Sequence, residues 1–158
     1  MTFLQWRLAS LLRPVFTEAI TKVMSQNNSA HSERQRQEGA LIFVVDDEPM
    51  LLELATVVLE PLGYKIKTFR DPQVAIREFG LAKPRPALLV TDYAMHTMSG
   101  LDLIAACRQL DPKQKILLLS GTVDEQIYRN VAAKPDRFLG KPYQAKQLVD
   151  AVKALLPE

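Results

Sequence analysis

From Ala40 onward, short apolar runs alternate with stretches whose apolar residues recur at three- and four-residue spacing. That alternation predicts β-α repeats and an α/β domain built on a parallel sheet. Leu41–Val45 (β1), Ala87–Val90 (β3) and Ile116–Leu119 (β4) are continuously apolar, as strands are when helices cover both of their faces, so they are predicted to be central. Tyr64–Phe69 (β2) sets Lys65 and Lys67 against Ile66 and Thr68, which leaves one side to water and predicts an edge strand. Arg137–Gly140 (β5) is a short fifth strand. Five helices are predicted between and after the strands. Pro49 to about Leu62 (α1) starts with proline at its first position and carries Leu51, Leu54, Ala55 and Val58 on one face. Pro72–Phe79 (α2) lies behind an Asp71 cap. Gly100–Leu110 (α3) follows, then Asp124–Ala133 (α4), stopped by Pro135, and Gln144–Leu156 (α5), with Ala145, Leu148, Val152 and Leu155 as its stripe.

Ahead of this domain the pattern is different. Residues 25–39 contain one alanine and no larger apolar side chain, so they bury too little surface to offset the entropy of ordering and read as a flexible linker. Residues 1–24 place Leu4, Leu8, Leu11, Leu12, Val15, Phe16, Ala19, Ile20 and Val23 at helical spacing, interrupted by Pro14. Three readings fit this amphipathic segment: a homodimerisation or partner-binding helix, a helix lying on a membrane surface with Trp6 as anchor, or a translation start assigned upstream of Met24. Arg7 and Arg13 break the apolar run and no basic residue precedes it, which argues against a secretory signal.

At 158 residues the chain is long enough for one globular domain with a substantial core. Its longest apolar stretch, around Leu41–Val45, falls far short of the roughly 20 residues that a membrane-spanning helix needs. A single cysteine, Cys107, excludes an intramolecular disulfide and a cysteine metal cluster, which suits a reducing, cytoplasmic setting. The net charge is +2, but residues 40–158 carry fifteen basic and fifteen acidic side chains, so the domain has no overall electrostatic signature of nucleic-acid binding.

In an open parallel sheet the ligand site lies at the carboxyl ends of the strands, near the point where strand order reverses. There β1 runs into Asp46-Asp47, β3 into Asp92, β4 into Ser120 with Gly121 and Thr122, and β5 into Lys141-Pro142. Singly, each is an ordinary solvated loop residue. Together they bring three carboxylates to one place, where every close pair costs on the order of a few kcal/mol at an effective dielectric near 20. Such a cluster calls for a cation. An all-oxygen donor set suits Mg²⁺, which keeps open positions for phosphoryl oxygens. A lysine and a small hydroxyl can hold two further phosphoryl oxygens, which leaves one carboxylate free to attack phosphorus and form an acyl phosphate.

The motifs VVDDEP, TDYAMHTMSG, LLLSG and FLGKPY, in this order on these strands, resemble the receiver domain of two-component response regulators over about residues 40–156. The resemblance implies a flavodoxin-like, doubly wound (βα)5 three-layer sandwich with strand order 2-1-3-4-5. It implies a signalling phosphoacceptor rather than an enzyme acting on a separate substrate. Asp92 would take a phosphoryl group from a phosphohistidine on a sensor histidine kinase or histidine phosphotransfer protein. Asp47 and Asp92 would bind Mg²⁺ directly together with the Ala94 carbonyl, and Asp46 through water. Ser120 and Lys141 would hold the phosphoryl oxygens, with a cis bond at Lys141-Pro142 aiming the ammonium inward. Phe138 stands at the family's switch aromatic: a Ser120 hydroxyl drawn toward the phosphoryl group vacates space that the ring can fill, altering the α4-β5-α5 face that a downstream protein would read.

One position departs from the family: His96 replaces the usual proline after the acceptor; it could act as a base but is expected to be a solvated loop residue. Ala94, at a position that tunes hydrolysis, offers no side chain to orient water. Thr122 occupies the second position that tunes hydrolysis, while Tyr93 and Met98 are expected to pack. A Mg²⁺-dependent aspartyl-phosphate phosphohydrolase of the haloacid dehalogenase type would share this chemistry, but it carries Asp-x-Asp after its first strand, where this chain has adjacent Asp46-Asp47. A flavodoxin-like cofactor binder would need a hydroxyl- or glycine-rich loop after β1, and the acidic loop here repels phosphate. A scaffold that binds partners without phosphorylation is the remaining rival. Because Glu158 follows α5 closely, the chain is expected to act as a stand-alone receiver whose output is made through protein contacts, without direct DNA binding.

Overall fold

The computed structural model describes residues 39–121 and 133–156. The N-terminal segment 1–24, the linker up to Glu38, the body of α4 and Thr122 lie outside the described residues. The compact unit that holds the sheet begins at Gly39.

Five strands, β1 Leu41–Val45, β2 Lys65–Phe69, β3 Leu88–Asp92, β4 Lys115–Ser120 and β5 Arg137–Gly140, form one parallel sheet of order β2-β1-β3-β4-β5. Because side chains alternate across a strand, each central strand divides its apolar residues between two cores. Ile42, Val44, Leu88, Val90, Leu117 and Leu119 point to the face covered by Leu52, Ala55 and Leu59 of α1 and by Leu148, Ala151 and Val152 of α5. Phe43, Val45, Leu89, Ile116 and Leu118 point to the other, covered by Ala75 and Phe79 of α2 and by Leu103, Ile104 and Cys107 of α3. Each large side chain taken from water in this way contributes about 1.5–3 kcal/mol, and the result is the expected three-layer, doubly wound architecture. β2 is an edge strand, paired with β1 from Leu41↔Lys65 to Val45↔Phe69.

The element ends differ from the hydropathy pattern for local reasons. α1 is regular over Pro49–Leu59 and closes through a 3-10 turn at Glu60–Leu62, since Pro61 has no N–H to continue the ladder and Gly63 at φ 90° supplies the left-handed stop. α2 begins at Pro72 as expected, with the Asp71 side chain accepting from the Gln73 N–H, and runs on to Leu81. α3 spans Gly100–Leu110 and α5 spans Ala145–Leu155, the latter opened by a reciprocal capping box between Gln144 and Gln147. β3 and β4 extend past their apolar runs. Thr91 pairs with Val45 and Leu118, Asp92 with Leu119, and Ser120 with Gly140, so the polar residues at the carboxyl edge are part of the sheet itself.

Candidate functional site

The backbone ladder fixes where these polar side chains stand. The Asp46 N–H donates to the Phe69 carbonyl at 3.1 Å, carrying the β1-β2 pairing one residue past β1, and its Oδ1 accepts the Glu48 N–H at 2.9 Å to turn the chain into α1. Asp92 is the last residue of β3 and is 5% exposed, with Oδ2 accepting the Ala94 N–H at 3.0 Å. Lys141 follows β5. Its N–H donates to the Ser120 carbonyl at 2.7 Å, tying the β5-α5 loop to the end of β4, and the Lys141-Pro142 peptide is cis. From there Nζ reaches Asp92 Oδ1 at 2.7 Å and Asp46 Oδ2 at 3.0 Å. One carboxylate oxygen each from Asp46, Asp47 and Asp92 lie within 4.8 Å of one another.

Gly100 packs directly against the Asp92 backbone. A Cβ there would stand 2.2 Å from the Asp92 carbonyl oxygen, and its N–H donates to the Tyr93 carbonyl at 2.8 Å. Only glycine allows so close an approach. The Ala94↔Ser99 bridge closes the loop between Asp92 and α3. Tyr93 and Met98 pack against the core beneath α2 and α3, as expected. Beside the carboxylates, a groove of about 390 Å³ is lined by Glu48, Leu51, Leu54, Lys141, Pro142 and Tyr143.

Among the described residues, three carboxylates gather around one ammonium, which leaves two negative charges unmatched. Burial raises the Asp46 carboxyl above the ordinary carboxylate range, outweighing the Glu48 N–H and the Lys141 ammonium that pull it down. Burial disfavours the Lys141 ammonium, yet its hydrogen bonds to Asp92 and Asp46 and their charges prevail, holding its pKa above the usual lysine value. The Lys141 shift is the response of an ammonium held between carboxylates, whereas the Asp46 shift is chiefly the cost of burying a carboxylate. The donors are all hard oxygens, so the residues present fit a Mg²⁺ ion.

The sequence model for the response regulator receiver domain matches residues 42–153. The chain belongs to the response regulator receiver family. Among curated relatives, the protein named "Probable transcriptional regulatory protein TcrX" of Mycobacterium tuberculosis is 33% identical over 117 residues, covering 73% of this chain and 49% of TcrX. DNA-binding response regulator MtrA of Mycolicibacterium smegmatis is 29% identical over 115 residues, covering 73% of this chain and 50% of MtrA. The chain thus spans about half the length of these relatives. Among solved structures, response regulator TrrA of Thermotoga maritima, in complex with Mg²⁺-BeF, aligns with a TM-score of 0.64 at 30% identity over 73% of this chain and 98% of TrrA. The chemotaxis protein CheY4 of Vibrio cholerae shares the fold, with a TM-score of 0.69 at 22% identity over 74% of this chain and 98% of CheY4.

The receiver fold brings Asp46, Asp47, Asp92 and Lys141 together from β1, β3 and β5. Ser120 is buried at the end of β4. Phe138 is half-buried, registers with Leu118 and packs against the core on the α2-α3 side of the sheet. Ala94 is exposed, with its N–H engaged by Asp92. His96 is a solvated loop residue, as expected, but it has a partner. Its side chain is 90% exposed, yet both its backbone N–H, at 3.3 Å, and its ring Nδ1 contact Asp47 Oδ2. Pairing at a sequence separation of 49 leaves no local signal in the sequence. The groove beside the carboxylates likewise leaves no signal in the sequence, because Leu51 and Leu54 read simply as part of a core-facing stripe. Among the described residues, no helix is long and apolar enough to cross a membrane.

Proposed function

We propose that this receiver takes a phosphoryl group onto Asp92 from a phosphohistidine of a sensor histidine kinase or a histidine phosphotransfer protein, in a Mg²⁺-dependent reaction. The observation that supports this reading best is the placement of Asp92: its carboxylate is held between the Ala94 N–H and the Lys141 ammonium, inside a cluster with two surplus negative charges. Asp47, Asp92 and the Ala94 carbonyl would hold the ion, and Asp46 would hold it through water. The ion would neutralise the carboxylates and the phosphoryl oxygens as they come together.

An Asp92 carboxylate oxygen attacks phosphorus in line with the donor nitrogen. A P–O bond forms, the P–N bond breaks with its electron pair passing to the imidazole, and an acyl phosphate results. Lys141, already 2.7 Å from Asp92, stays to balance the phosphoryl charge, and the Ser120 hydroxyl accompanies it. The groove of Leu51, Leu54, Pro142 and Tyr143 opens beside Lys141 and offers the donor protein an apolar footing next to the acceptor.

Movement of the Ser120 hydroxyl toward the phosphoryl group would free space for Phe138 and repack the α4-β5-α5 face, a coupling typically worth about 1–3 kcal/mol. Output is proposed at the level of the receiver, as altered protein docking on that face. The test is intact mass after incubation with acetyl phosphate. The expected outcome is one phosphoryl increment with Mg²⁺, none in EDTA and none in Asp92→Asn. Turnover of free phosphate esters would instead favour a phosphohydrolase, and an unmodified native chain would favour a scaffold.

A further inference from the structure

We propose that the corner of the domain where α2 and α3 end rests on an anionic lipid surface, with two leucines entering the headgroup layer and the lysines around them meeting lipid phosphate. The inference goes beyond the phosphoacceptor reading and is independent of it. Leu81, the last residue of α2, is 76% exposed, and Leu110, the last residue of α3, is 47% exposed. The two helix ends adjoin, since a Cβ on Gly80 would lie 3.9 Å from Leu110 Cδ1. Exposed Pro84 and Pro112 carry the apolar surface into the loops that follow. Single leucines scattered over a surface need no partner, whereas neighbouring ones rimmed by charge mark an interaction site.

The rim here is basic. Residues 81–87 and 108–115 carry Lys83, Arg85, Arg108, Lys113 and Lys115 against one acidic residue, Asp111. Arg85 is taken up by Phe79 and Arg108 by Asp136. Lys83, Lys113 and Lys115 are exposed and make no ion pair among the described residues. A protruding tip of this kind suits a fluid surface, because lipid closes around a leucine without a matching cavity while phosphate at the same depth meets the lysines. A bare polyanion would engage the lysines and leave the leucines in water. The acidic cluster of Asp46, Asp47 and Asp92 lies at the opposite, carboxyl end of the sheet, so an anionic surface repels it and leaves Asp92 facing away, open to a phosphodonor.

The experiment measures co-sedimentation of the full chain with phosphatidylcholine vesicles, with and without phosphatidylglycerol, as salt is raised. Native protein is compared with the double variant Leu81→Ser, Leu110→Ser, with the double variant Lys83→Ala, Lys113→Ala, and with Lys146→Glu, which makes the same change in net charge on α5. Residues 1–24 are present in every sample, so any lipid binding of their own is a background common to all. Unfolding midpoints confirm that each variant is folded. The proposal expects binding only to vesicles that contain phosphatidylglycerol, weakening as salt rises, reduced about tenfold or more by each double variant and changed less than about twofold by Lys146→Glu. Failure of the native chain to bind either vesicle, or equal binding by native protein and both double variants, would overturn it. So would a loss confined to the lysine variant with equally tight native binding to heparin, which would make the corner a polyanion site. Self-association of the lipid-free chain that both double variants abolish, seen by sedimentation velocity, would overturn it in favour of a second copy.

Discussion

The two ends of the sheet handle charge in opposite ways. At the amino end, Asp136 and Arg85 each meet partners, although the Arg108 Nε is buried without one. Asp136 Oδ2 accepts the Ile116 N–H at 2.8 Å and an Arg108 Nη2 hydrogen at 2.9 Å, which satisfies the backbone where β4 and β5 begin. The Arg85 guanidinium lies 4.8 Å from the Phe79 ring and donates to the Phe79 carbonyl at the close of α2. At the carboxyl end the same fold gathers Asp46, Asp47 and Asp92 around one Lys141, with two negative charges left over. Matched charges complete hydrogen bonding and hold elements in place, whereas surplus charge lowers stability until something positive arrives. The difference separates charges that are paired from a region that carries unmatched negative charge.

The largest expected effect comes from taking away the Lys141 ammonium that meets Asp46 and Asp92. Lys141→Ala should cost about 3 kcal/mol in metal-free buffer, because it leaves the buried Asp46 and Asp92 without their counter-charge. Added Mg²⁺ should restore part of that loss, and denaturant unfolding with and without the ion measures both quantities. The Asp136 pairing should behave otherwise. Asp136→Ala strips partners from the Ile116 N–H and from Arg108 and should cost about 2 kcal/mol, the same with and without Mg²⁺. A Mg²⁺-dependent cost there would blur the distinction between the ends.

The smallest effect is a pH dependence of Asp46. Its folded-state pKa is raised above the unfolded value, chiefly by burial. Its contribution therefore favours folding at pH below the unfolded pKa and is lost as pH rises through the folded one. In metal-free buffer, Asp46→Asn should gain on the native protein between acid and neutral pH. A constant difference between their unfolding midpoints across that range would contradict the burial argument.

Much of this was legible in the sequence because the two faces of a doubly wound sheet impose period-two burial on the strands and a helical stripe on their covers. Strand order, the carboxylates and Lys141 followed from four short motifs. The strand ends did not, because hydropathy stops at Val90 and Leu119 while the hydrogen-bond ladder continues through Thr91, Asp92 and Ser120. Gly100 read as the start of a helix, and its contact with the Asp92 carbonyl emerges only when β3 and α3 meet. His96 was least legible of all. An exposed loop histidine looks the same in sequence whether or not a carboxylate of a different strand-helix loop stands opposite it.

The most direct test of the surplus-charge account is the thermal midpoint of the native chain as Mg²⁺ is raised, beside Asp47→Ala. A ligand bound only by the folded state adds about 2.7 kcal/mol of stability at a hundredfold excess over its Kd. The account predicts a midpoint that climbs with Mg²⁺ in the native protein and stays nearly flat in the variant. A native midpoint indifferent to Mg²⁺ would contradict it.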